Sequence, residues 1–176
     1  MTFDFKLIVF NIEKPQNLGL LMRNAYAFGC QELLIVGRKR FKVTGAGHTQ
    51  NLTPSRHFFN MKEAAAYCKQ EGYEIWGVEI GGEWTHETAY DRNVALVMGN
   101  EGRGLSDAQS FCEKIISIPQ WGGVPSLNVA AAGAIAMYEF QKNQGRPPAG
   151  VEGQKFYDNH FLPDARRVAE PGKPSE

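Results

Sequence analysis

Apolar and polar positions fall in short blocks along this chain, and each block reads as one element. Residues 6–10 (K-L-I-V-F) form an apolar run with β-branched members, the pattern of a buried strand. The polar stretch N-I-E-K-P-Q-N follows. Residues 18–28 then have helical composition, with Gly29 where a C-cap glycine would stand. Residues 32–36 (E-L-L-I-V) predict a second strand. Residues 61–71 (M-K-E-A-A-A-Y-C-K-Q-E) predict a helix closed by Gly72, and residues 73–80 and 94–98 predict two further strands. Ser106 is expected to N-cap a short helix ending near Glu113, and residues 115–118 are the last predicted strand. A Pro/Gly loop (119–125) leads into a helix expected to open on Ser126 and run to about Lys142.

Strands that alternate with helices through short connections predict an α/β fold, a mostly parallel sheet with helices on both faces. At 176 residues the chain suits one domain with a real core. The pattern places that domain at 1–144. Residues 145–176, punctuated by proline and glycine, read as an extended or disordered tail.

Composition narrows the function by exclusion. The formal net charge is zero, so any nucleic-acid binding must come from a local patch. Cys30, Cys68 and Cys112 are odd in number and far apart, which signals neither a disulfide framework nor a zinc site and favours a reducing compartment. The four histidines show no metal-ligand spacing, and no metal is expected. The first residues, M-T-F-D-F-K, lack a signal-peptide pattern, and no apolar run approaches the roughly 20 residues that span a bilayer. A cytoplasmic protein without membrane contact is the expectation.

Candidate chemistry collects in three segments, each after a predicted strand, where open parallel sheets bind ligands. The first is N-L-G-L-L-M-R-N-A, with Asn17 as a possible helix N-cap and Arg23 near mid-helix. The second is M-G-N-E-G-R-G-L-S, residues 98–106. Its G-x-x-G-x-G spacing is neither the dinucleotide fingerprint nor a P-loop, and Glu101 sits poorly shielded among glycines. The third is I-P-Q-W-G-G-V-P-S-L-N-V-A, a backbone-rich loop followed by the small residues Ala130, Ala131, Ala132, Gly133 and Ala134. Taken singly, each is an ordinary turn or helix cap.

Together, in this order, the three segments resemble the motifs of the SpoU/TrmH family of RNA ribose 2′-O-methyltransferases, in the SPOUT superfamily. The resemblance covers about residues 5–144. It implies a sheet whose C-terminal part threads a trefoil knot, a homodimer, and S-adenosylmethionine as cofactor. It assigns catalytic positions to Arg23, Asn17, Glu101, Ser126 and Asn128. It assigns cofactor contacts to backbone at Val78, Glu79, Met98, Gly99, Ile118 and Leu127. One departure stands out: many relatives have a polar residue before S-L-N, where this chain has Pro125. A guanidinium, with pKa above about 12, is a poor base, so Arg23 is expected to orient and stabilise the reacting oxygen.

The RNA would meet the protein through the basic cluster Arg38, Lys39, Arg40 and Lys42, through Arg103, and through Trp121 as a stacking residue, whereas Trp76 belongs to the core. The chain begins within about five residues of its first strand, like minimal family members, which tilts the expected substrate toward tRNA over rRNA. The alternative is a knotted RNA-binding relative without catalysis.

Overall fold

The computed structural model describes residues 1–37, 43–46, 49 and 51–147. Six strands form one sheet in the order β3-β2-β1-β5-β4-β6, and every pairing is parallel. The strands are β1 (Phe5–Phe10), β2 (Leu33–Val36), β3 (Ser55–Phe58), β4 (Glu74–Trp84), β5 (Val94–Met98) and β6 (Lys114–Ser117). The helices are α1 (Pro15–Ala27), α2 (Met61–Gln70) and α3 (Val129–Lys142), with a 3₁₀ helix at Ser106–Phe111. The compact unit spans Met1–Arg146. Among the described residues, no helix is long and apolar enough to cross a membrane.

The apolar runs are buried on both faces, as a parallel sheet between helices demands. From β1, Phe5, Leu7 and Val9 join one core with Leu21 and Met22 of α1 and Met137 and Phe140 of α3. Ile8 and Phe10 join the other, with Met61, Ala64 and Cys68 of α2 and Ala108 of the 3₁₀ helix. Trp76 is buried in the first core, as expected. Gly133 explains part of the small-residue run: a Cβ there would strike Leu21, so glycine lets α3 settle onto α1.

Several boundaries differ from the sequence pattern. Strand β3 (S-R-H-F) went unread because it is an edge strand with exposed or half-exposed positions. Strand β4 runs on to Trp84: its pairing with β6 breaks between Val78 and Glu83, then resumes at Glu83 and Trp84. Gly82 permits this, since a Cβ would collide with the Ile115 backbone. Ser106 does not N-cap a helix. It adopts φ 48° inside a 3₁₀ turn whose N-cap is Leu105. Gln144 accepts from the Phe3 N–H, and Arg146 pairs with Asp4 and the Phe3 carbonyl, which ties the start of the compact unit to its last residues.

The amino-terminal edge of the sheet carries a closed polar network. Lys6, buried under α2, donates to Glu32 (2.8 Å) and Tyr67 (3.2 Å). The Tyr67 hydroxyl donates to the same Glu32 oxygen (2.7 Å), and Arg56 Nε donates to the other (2.9 Å). Burial alone would lower the Lys6 pKa, but these partners outweigh it and hold the value above 10.5. Burial likewise pushes Glu32 up, and its three donors outweigh that and hold it below 4.5.

Candidate active site

Three loops leave the carboxyl ends of β1, β5 and β6 and meet at one edge of the sheet. Glu101 joins the first two. Its carboxylate accepts from the backbone N–H of Glu13 (3.0 Å) and Lys14 (2.9 Å) and from Asn17 Nδ2 (2.9 Å). These donors lie at the start of α1, whose N-cap, Lys14, offers no side-chain cap. The carboxylate therefore fills the role of a cap from another loop, where the helix dipole also favours negative charge. Partial burial pushes the Glu101 pKa up, but the three donors outweigh it and hold the group below 4.5.

Asn17 carries the connection onward. It is buried, and its Oδ1 accepts from Asn128 Nδ2 (2.9 Å). Asn128 Oδ1 in turn accepts from the N–H groups of Ala130 (2.9 Å) and Ala131 (3.2 Å), capping α3. One run of hydrogen bonds thus links all three motifs. Two expected caps change place: Asn17 is the third residue of a helix that begins at Pro15, and α3 is capped by Asn128 instead of Ser126.

The glycine-rich loop is folded onto itself. Asn100 and Gly104 exchange two backbone hydrogen bonds, and Asn100 Oδ1 accepts from the N–H groups of Gly102 and Arg103. Asn100 Nδ2 donates to the Asn11 carbonyl at the end of β1 (2.8 Å). Gly104 has φ +60°, and a Cβ there would strike the Glu79 carboxylate. Glu79 accepts from Leu105 N (3.0 Å) and Ile80 N (3.0 Å), fastening this loop to the middle of β4, where its pairing with β6 breaks.

The loops enclose a cavity of about 630 Å³, within the usual range for small-ligand sites. All six positions expected to face a cofactor line it: Val78, Glu79, Met98, Gly99, Ile118 and Leu127. Asn17, Glu101, Ser126, Asn128 and Arg103 line it too. Lys14 and Gln120 are among the lining residues to which the sequence assigns no role. A glutamine in a Pro/Gly loop looks like ordinary surface, yet Gln120 Oε1 is buried with no hydrogen-bond partner among the described residues. A second hollow of about 530 Å³ adjoins the first and shares Lys14, Asn100 and Arg103 with it.

Not every expected residue gathers here. Arg23 is exposed on α1, outside the cavity wall, and its side chain has no hydrogen-bond or ion-pair partner among the described residues. Its neighbour Asn24 donates to the Ala130 carbonyl (3.2 Å), so this part of α1 rests on the first turn of α3. Trp121 is 90% exposed, and neither it nor Pro125 belongs to the wall. Arg38, Lys39, Arg40 and Lys42 lie outside the described residues.

Known proteins resemble this chain in sequence and fold. The chain is 32% identical to an uncharacterised tRNA/rRNA methyltransferase of Synechocystis sp. over 93% of its own length and 43% of the relative's. It is 30% identical to the 23S rRNA (guanosine-2′-O-)-methyltransferase RlmB of Coxiella burnetii, covering 80% of this chain and 59% of that one. The chain thus spans about half the length of these curated relatives. The fold matches the crystal structure of an AdoMet-bound rRNA methyltransferase from Sinorhizobium meliloti with a TM-score of 0.73 at 23% identity, over 81% of this chain and 57% of the other. The model of the SpoU rRNA Methylase family matches residues 4–138, so the three loops that meet at this cavity are those of a SpoU family member, and the chain belongs to that family.

Proposed function

We propose that this chain transfers a methyl group from S-adenosylmethionine to a ribose 2′-hydroxyl of RNA. The observation that carries the reading is the hydrogen-bonded run Glu101–Asn17–Asn128, which draws three distant motifs around one cavity. The relatives, a 23S rRNA (guanosine-2′-O-)-methyltransferase among them, point the same way.

The cavity residues fit the cofactor. Val78, Ile118 and Leu127 supply apolar surface, the glycine loop supplies bare backbone, and Gln120 supplies a buried acceptor without a donor. When bound, S-adenosylmethionine supplies an activated methyl on a sulfonium, so the protein's part is alignment and charge stabilisation. Backbone at Val78, Glu79, Met98, Gly99, Ile118 and Leu127 would hold it. Glu101, Asn17 and Asn128 fix the loops, and Ser126 stands free on the wall to meet a substrate group. Arg23 would stabilise negative charge growing on the ribose oxygen, since a guanidinium does not act as a base at neutral pH.

RNA must present a splayed nucleotide for its ribose to reach the cavity. The adjoining hollow, with Lys14 and Arg103 between the two, suits that nucleotide. Arg38, Lys39, Arg40 and Lys42 would contact phosphates, and Trp121 is free to stack on a base. Exposed Leu20 on α1 and Ile135 and Tyr138 on α3 support a homodimer through these helices. Arg23 is exposed on α1 like Leu20, so it would lie by the dimer seam. The trefoil knot, the 1–144 domain limit and a cytoplasmic setting belong to the same proposal.

Incubation with isotopically labelled S-adenosylmethionine and either tRNA or rRNA, followed by mass spectrometry of the digested nucleosides, tests it. A labelled 2′-O-methylnucleoside is expected, and the RNA that acquires it names the substrate class. Label on bases alone, or none in either RNA, would overturn the assignment. Cofactor binding without transfer would instead favour the non-catalytic reading.

A further inference from the structure

Gln120 follows Pro119 in the loop after β6, and its side-chain oxygen is buried and accepts no hydrogen bond from the described residues. A buried carbonyl without a donor is unfavourable, and such groups are nearly always paired in native proteins. The same residue lines the larger cavity. We infer that Gln120 Oε1 receives the exocyclic amine of the cofactor's adenine and makes the site selective for a 6-aminopurine. The inference rests on the cofactor proposed above.

The chemistry of the oxygen selects among the cofactor's donors. A carbonyl oxygen only accepts, so its partner must bring an N–H or O–H. The α-ammonium is a poor match: setting a cation against one neutral acceptor, away from water, carries a large desolvation cost. The ribose hydroxyls both donate and accept, and water or bare backbone satisfies them equally well. The adenine amine is neutral and donates only, on a flat ring that must leave water to lie between apolar walls. Ile80, Ile118 and Leu127 supply such walls in this cavity. The chain leading to Gln120 adds no competing donor at Pro119, which has no N–H. Nothing else in the sequence marks this glutamine, which explains why pattern alone passes over it.

Gln120→Met keeps the length of the side chain and removes the acceptor. Calorimetric titration with S-adenosylhomocysteine and with its analogue lacking the 6-amino group reads the contact directly. The unaltered protein is expected to bind the amino ligand roughly tenfold more tightly. Gln120→Met should bind the two ligands alike, and Gln120→Glu, which keeps an acceptor, should restore a preference for the amino ligand. Retention of the full preference in Gln120→Met would place the amine elsewhere and overturn the inference. An equal loss of both ligands, with the preference intact, would reduce Gln120 to a packing role. If the unaltered protein binds neither ligand, the cofactor reading itself fails, a result distinct from either.

Discussion

The two edges of this sheet each carry a polar network between distant segments, and they are built differently. At the amino-terminal edge, Lys6, Glu32, Tyr67 and Arg56 satisfy one another through side chains under helix α2. That network is closed. At the carboxyl edge, Glu101 and Asn128 accept from backbone N–H groups at the starts of α1 and α3, Asn17 joins their side chains, and so the three hold loops in place. Around that second network, the Ser126 side chain and the Gln120 oxygen are left without partners among the described residues. A scaffold pairs its polar groups, whereas a site uses some to position loops and leaves others for a ligand.

Substitutions can break this contrast. The largest effect is expected at Arg23. Arg23→Ala should lower methyl transfer by roughly 100- to 1,000-fold, the usual loss for one stabilising donor, while calorimetry shows unchanged cofactor affinity. Lys6→Met should do the reverse. It removes one member of a buried ion pair and should cost about 3 kcal/mol in urea unfolding, with cofactor affinity intact. Glu101→Gln falls between them. It replaces a carboxylate that takes three hydrogen bonds, so stability should drop by about 1–3 kcal/mol. Cofactor affinity should fall as well, because the glycine loop and the start of α1 lose their tie. Intact affinity in Glu101→Gln would make this network a scaffold like the other.

The smallest effect is on acid stability. Glu32 and Glu101 both have folded pKa values below 4.5. Each therefore contributes stability that is present above about pH 4.5 and lost as pH falls through its folded value. Glu32→Gln and Glu101→Gln should each flatten the acid limb of an unfolding-against-pH curve. Lys6 has the opposite sign: its folded pKa lies above 10.5, so its contribution fades only as pH rises through that value.

The sequence showed much of this edge and little of the other. Strand β5 is read residue for residue, because a five-residue apolar run between Asn93 and Gly99 has the length and bounds of a strand buried on both faces. The three motifs were visible, and their loops do converge. How they converge was not visible, because the relay depends on Asn17 sitting inside the helix and Asn128, two residues beyond Ser126, acting as the cap. Caps at neighbouring polar positions look alike in a single sequence. Lys6 offered no signal either: one lysine at the head of an apolar run reads as a boundary, although α2 and Glu32 bury it. Strand β3 was hidden for a related reason, since its exposed edge positions carry no apolar pattern.

Hydrogen exchange with and without S-adenosylmethionine tests the distinction between the edges most directly. Bound cofactor should slow exchange in peptides covering residues 98–105 and 117–132, and leave those covering residues 5–8, 32–34 and 55–58 unchanged. Slowing confined to the amino-terminal edge, or none at either, would contradict the assignment of the carboxyl edge as the site.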